Sequence, residues 1–297
     1  MNQKSNRPSR QPQRGRNRQV GTRTAERAAA RKRTRMILVA VMGVVIVGAV
    51  IAALLAGGGD EQSSSSTSTT VFDAAAVAAA VTEVPASAFD AVGNGTATGG
   101  PEPVNLTPIT QEGKPELLYV GAEYCPFCAA QRWAMVAALS RFGTFTGLSA
   151  SHSATEDVYP DTPTFSFYGS VYTSVYLAFT AVETETNEMS GGSYKPLQKL
   201  TAEQEAVLAE SGRTGIPFLD FGGKFLISGA SFDPGVLEER NGPGIAKLMA
   251  DPTSKISQAV LGAANGITVA ICGMTGNQPA SVCDSPGVQA AKAALGL

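Results

Sequence analysis

The longest apolar run in the chain is residues 36–56, MILVAVMGVVIVGAVIAALLA, which holds no charged side chain. At about 1.5 Å per residue it covers the roughly 30 Å hydrocarbon layer of a bilayer, and it predicts a transmembrane helix. Residues 57–70, GGGDEQSSSSTSTT, show no apolar period and read as a flexible tether. Residues 71–81 are Ala-rich and predict a short helix near the membrane. Residues 94–108, interrupted by Gly and Pro, predict a loop.

From Pro115 the pattern changes. Residues 117–120 (LLYV) are a short apolar run suited to a strand buried on both faces. Residues 129–142 predict a helix, with Gly143 as its stop. Phe165, Phe167, Tyr168, Val171, Tyr172, Val175, Tyr176 and Phe179 favour strands across 148–183. Thr201 with Gln204 forms a capping box, and Gly212 ends that helix. Residues 218–221 and 224–227 flank Gly222-Gly223, a two-residue hairpin signal. Asp233-Pro234 predicts a helix start, and residues 256–274 predict a further apolar helix. No internal repeat is visible. Strands and helices alternating in this order predict an α/β domain, a mixed sheet with helices on both faces.

Charge changes the picture at the N-terminus. The net charge is −2, yet residues 1–35 carry twelve Lys or Arg against one acid, Glu26, leaving eleven basic and twenty-four acidic residues beyond. Such a tail cannot bury enough surface to offset its ordering entropy and is expected to be disordered. On composition alone it suits nucleic acid. Arg31, Lys32, Arg33 and Arg35, however, immediately precede the apolar run, while Asp60 and Glu61 follow it. That asymmetry places residues 1–35 in the cytoplasm, against anionic headgroups, and everything after 57 outside. No nucleic-acid partner is expected. A cleavable signal peptide would have an apolar region of about 7–15 residues and a small-residue cleavage site; an uncleaved single-pass anchor is the expectation. The organisation is then a tail (1–35), a span in the lipid bilayer (36–56), a tether (57–70) and an extracytoplasmic domain (71–297), with a disulfide-stapled helical part at about 251–297.

Four cysteines in an oxidising space pair off naturally. Cys125-Pro-Phe-Cys128 has the spacing of a redox pair or of half a metal site. A zinc site needs a second ligand pair; Cys272 and Cys283 are widely spaced and His152 is the sole histidine, so no metal is expected. A plain structural disulfide is the competing reading. If Cys125 opens the helix, unpaired N–H groups and the helix dipole favour its thiolate. Cys125 then forms the mixed disulfide and Cys128, one turn on, resolves it. Pro126 suits an early helical position. Cys272 and Cys283 close a twelve-residue loop, worth roughly 3 kcal/mol as a structural disulfide; a second redox pair is the alternative, without CxxC spacing. His152 reads as a surface residue, Trp133 as packing, and Glu123 as a solvated loop acid that opposes a thiolate if close. The Pro-Phe dipeptide carries no polar group, which leaves the direction of electron flow open.

LLYV followed by Tyr124-Cys-Pro-Phe-Cys128 at a helix start resembles the thioredoxin superfamily, whose members often carry an aromatic residue where Tyr124 stands. Gly215-Ile216-Pro217 ahead of the hairpin is similar to that superfamily's cis-proline. The resemblance implies that Ile216 offers its backbone to an extended substrate segment, with Pro217 beside Cys125 and Tyr124 and Phe127 at the binding surface. The runs GAEYCPFCAAQRWAMVAALSRFGTF, VYPDTPTFSFYGSVYTSVYLAF and TGIPFLDFGGKF resemble the prokaryotic family called domain of unknown function 929, over roughly residues 71–290. That family implies a thioredoxin-like fold and no assigned substrate. Cys125 and Pro217 stand 92 positions apart, more than a minimal thioredoxin allows. The aromatic stretch 164–179 accounts for much of the excess, as inserted core or edge strand by default and as a substrate-binding lip otherwise. The expected activity is thiol–disulfide exchange on exported or envelope proteins. It needs no cofactor beyond the cysteine pair, and a membrane quinone-linked or thiol-transferring protein would recycle that pair. The competing functions are a redox-inert binding module and a structural envelope protein.

Overall fold

The computed structural model describes residues 72–297, so the expected tail 1–35, span 36–56 and tether 57–70 lie outside the described residues. Two short helices come first, α1 (Ala74–Thr82) and α2 (Ala86–Val92), then strands β1 (Glu102–Pro103), β2 (Thr110–Gln111) and β3 (Lys114–Gly121). Helix α3 (Pro126–Leu139) precedes β4 (Gly143–Thr146), β5 (Ser149–His152), β6 (Pro163–Ser166), β7 (Val171–Ser174) and β8 (Ala178–Glu183). The hairpin β9 (Glu185–Ser190) and β10 (Ser193–Pro196) leads to α4 (Ala202–Ser211), β11 (Phe218–Phe221) and β12 (Phe225–Ser228). A 3-10 turn (Pro234–Leu237), α5 (Gly242–Met249), α6 (Lys255–Met274), α7 (Ala280–Cys283) and α8 (Pro286–Leu295) complete the chain.

β3 is central because its residues are apolar on both faces. On one side β8 runs parallel to it, Leu117 opposite Phe179 and Val120 opposite Val182. On the other β11 runs antiparallel, Phe218 opposite Val120, followed by β12 and β1. The pleat then sorts the side chains. Leu117, Tyr119, Leu219, Phe221 and Ile227 face one core with α3 and α6; Leu118, Val120, Phe218 and Leu226 face a second with Val207 and Leu208 of α4. Helices cover both faces of a mixed sheet, as the alternation led us to expect.

The Ala-rich stretch forms the expected short helix, α1, which buries Val77 and Val81 in the body. Several local expectations need correcting. α3 starts at Pro126 rather than 129, because Cys125 already caps it. Asp233-Pro234 opens only a 3-10 turn: Asp233 accepts from the Gly235 N–H at 2.9 Å, and Glu238 then turns extended. The aromatic stretch is not one insertion. Its C-terminal side passes into β8, the parallel neighbour of β3, while β6 pairs with β5 and β7 with β4. Phe165 and Phe167 are buried, and Phe167 lies 5.3 Å from Tyr119 and 5.1 Å from Phe179, ring centre to ring centre. These rings build core, not a lip.

Trp133 is fully buried on α3; its indole N–H donates to the Pro163 carbonyl at 2.8 Å and its ring packs 4.7 Å from Phe165. Cys272 and Cys283 form the expected disulfide between α6 and α7. Among the described residues α6 is the one unbroken helix long and apolar enough to cross a bilayer, and it lies buried inside the fold (α1 and α2, bent by 69°, pass that test only as a pair).

Candidate active site

Cys125 stands just where the chain leaves β3 and α3 begins. Its backbone is extended, Pro126 takes the first helical position, and its sulfur accepts the Cys128 N–H at 3.2 Å. Both cysteines are free thiols. Cys125 is only 5 % exposed, and Cys128 is wholly buried. Aromatic side chains flank the pair. Tyr124 stacks on Tyr194 of β10 with ring centres 4.1 Å apart, and the half-exposed Phe127 meets Tyr159 edge-on at 6.0 Å. The β9–β10 hairpin is tied to this loop by the Glu123 N–H, which donates to the Glu185 carbonyl at 2.9 Å.

The Ile216–Pro217 peptide bond is cis, as is Gln278–Pro279, of which the sequence had carried no sign. Since Phe218 lies opposite Val120, Pro217 falls beside Gly121, at the strand end that leads to Cys125. The structure thus gathers Tyr124, Cys125, Phe127 and Cys128 at the helix start and Ile216-Pro217 just ahead of the adjoining strand β11. Cys272 and Cys283 form a separate staple.

The two thiols differ in chemistry. The Cys128 thiol donates to Cys125 and holds it below the usual thiol range despite burial; the Cys128 and Phe127 N–H groups and Arg132 act in the same sense. Burial, then the Cys125 sulfur, pushes Cys128 well up. One helix turn thus separates a thiol whose thiolate is favoured from one that is shielded and kept protonated.

Beneath the pair lies a polar cluster absent from the sequence reading. Arg132, fully buried, donates from Nε and Nη2 to Glu183 at 2.9 and 2.7 Å and from Nη2 to the Ala122 carbonyl at 2.9 Å. Burial raises the Glu183 carboxyl, and Arg132 opposes that shift. Two buried polar atoms here have no partner, the Tyr119 hydroxyl and Arg132 Nη1. Glu123 is not a solvated loop acid: it is buried and accepts from the Ser151 and Ser166 hydroxyls, each at 2.5 Å. One signal for Arg132 was available, its place four residues after Cys128 and so on the same helix side. Glu183 had none, since only the parallel pairing of β8 brings it near. His152 is partly exposed on β5, its Nδ1 2.8 Å from the Ser153 carbonyl and 3.4 Å from Asp161. Among the described residues no group of three His, Cys, Asp or Glu side chains is placed to hold a metal ion.

Residues 103–211 match the family model described as "Domain of unknown function (DUF929)". That stretch, narrower than the 71–290 of the resemblance, includes both cysteines of the pair and ends before Ile216 and Cys272. No curated protein and no solved structure matches the chain.

Proposed function

We propose that this chain, whose residues 103–211 match the domain of unknown function 929 family, is a membrane-anchored thiol–disulfide oxidoreductase of thioredoxin-like fold. Its substrates would be exported proteins. The observation that carries the reading is the pair itself: Cys125 caps α3 as sulfur acceptor, and Cys128 sits shielded one turn behind it. The strand order β8-β3-β11-β12, with β8 parallel and β11 antiparallel to β3, supports the fold assignment, as does the cis Ile216–Pro217 bond before β11.

In the reducing direction the Cys125 thiolate attacks a substrate disulfide and expels one substrate thiolate, leaving a mixed disulfide. Cys128 then attacks the Cys125 sulfur, the second substrate sulfur departs, and the proton Cys128 loses ends on that leaving thiol. Two electrons have passed from the dithiol to the substrate; oxidation runs the same steps backwards. Ile216 offers backbone groups to an extended substrate segment, with Tyr124 and Phe127 as its apolar walls. No cofactor is required. A membrane quinone-linked or thiol-transferring protein restores the pair, and the 36–56 span with its basic flank holds the domain outside the membrane.

The test is trapping. Cys128→Ala should accumulate mixed disulfides between Cys125 and envelope proteins, visible as reductant-sensitive adducts. Absence of adducts, with Cys125 shown to react with a small alkylating reagent, would sink the enzyme reading. The slight exposure of Cys125 favours a second reading, a redox-inert binding module. There the double Cys125→Ala, Cys128→Ala variant keeps its partner.

A further inference from the structure

The interior beneath the cysteines carries a cation that the Pro-Phe dipeptide lacks. Arg132 is fully buried, its charge is permanent, and Nη1 has no hydrogen-bond partner. A buried guanidinium with unused donors attracts any negative charge that forms nearby. The other groups facing the pair are already committed. Glu183 of β8 gives both carboxylate oxygens to Arg132. Glu123, on the loop after β3, is held by Ser151 and Ser166. Burial keeps the Tyr119 and Tyr124 phenols protonated, and Glu185 of the hairpin reinforces this at Tyr124. The charge that appears and disappears here is therefore the thiolate, which exists in the dithiol state and not in the disulfide.

Resting on the oxidoreductase reading, we propose that Arg132 is a positioning residue that favours the dithiol state of Cys125 and Cys128, making the chain a donor of disulfides to reduced exported proteins. A pair whose reduced form is stabilised is an oxidant. The step balances as follows. A substrate thiolate attacks Cys125 of the enzyme disulfide and Cys128 leaves, taking a proton. A second substrate thiol then attacks the substrate sulfur joined to Cys125, which departs as thiolate while that thiol's proton passes to solvent. The substrate has lost two electrons and the enzyme has gained them; the quinone-linked or thiol-transferring membrane partner removes them again.

The full chain, equilibrated across ratios of oxidised to reduced glutathione, gives the position of the Cys125–Cys128 equilibrium by thiol trapping. Arg132→Lys keeps the charge and should stay within about threefold of the wild type. The pair Arg132→Met, Glu183→Gln removes both charges at similar volume. It should become half-oxidised at a glutathione ratio about tenfold lower, about 30 mV more reducing, and its thiolate absorbance should rise at higher pH. The wild-type chain should also resist denaturant better reduced than oxidised. An unchanged ratio in the charge-free pair, or a wild-type chain more stable when oxidised, overturns the proposal. A pair that forms no disulfide at any ratio fails differently: it removes the oxidoreductase reading, and the proposal with it.

Discussion

Asp220 shows how one side chain can set a pH dependence. It lies in β11 with no exposed surface; Oδ1 accepts the Gly223 N–H at 2.6 Å, and Oδ2 has no partner. Burial pushes its carboxyl up to about 6, against the Gly223 bond. The folded state therefore holds this proton more tightly than the unfolded chain, whose value is near 3.8. Asp220 thus lowers stability progressively as pH rises from about 4 to about 6. Asp220→Asn keeps the acceptor without the charge. It should gain about 1–2 kcal/mol at pH 7 in urea unfolding and nothing at pH 4; an equal gain at both would refute the burial cause. Gly121 is a second tight point, because a Cβ there would lie 2.1 Å from the Tyr119 hydroxyl, the end of a fully buried ring. Gly121→Ala should cost about 1–3 kcal/mol by overpacking, read from the same melts. At this scale the sequence misled over Glu123, since nothing local reveals that Ser151 and Ser166 fold back onto it.

Among the elements, what was legible was what neighbours in sequence decide. The capping box closes as written, Thr201 Oγ accepting from the Gln204 N–H at 3.3 Å and Gln204 from the Thr201 N–H at 2.9 Å, with Gly212 left-handed at φ 65°. The apolar helix up to Met274 also follows local rules, and so does the hairpin after Phe221, except that Phe221 pairs with Phe225, so its loop is the three residues Gly222-Gly223-Lys224 and its second strand starts at 225, not 224. What stayed hidden depends on distant chain: the parallel β3–β8 pairing, the separate ribbons of the aromatic stretch, and Glu183 under the cysteines. Cys272–Cys283 joins two helices across a loop short enough to gauge from sequence. Replacing both by Ser should cost about 3 kcal/mol in denaturant unfolding. It should leave Cys128→Ala trapping unchanged; loss of trapping would point to an electron relay between the two pairs.

For the molecule as a whole, the dithiol sits where the end of β3 and the start of α3, neighbours in sequence, meet the distant turn into β11. The candidate site was half-readable for that reason. Its cysteines and proline follow one another in recognisable motifs, whereas the ion pair below them exists only once the sheet has closed. The proposed anchoring makes its own prediction. The full chain should stay with membranes through high salt and alkaline washing, and a chain lacking residues 1–56 should be released. Extraction by salt alone would assign the attachment to the basic tail instead of the apolar run. Finally, Trp133 is the chain's single tryptophan, and it is sealed within the helix that Cys125 opens. Indole emission from this protein originates at one interior spot two turns from the Cys125 sulfur, so the molecule carries its own optical gauge of that helix, with no probe to attach.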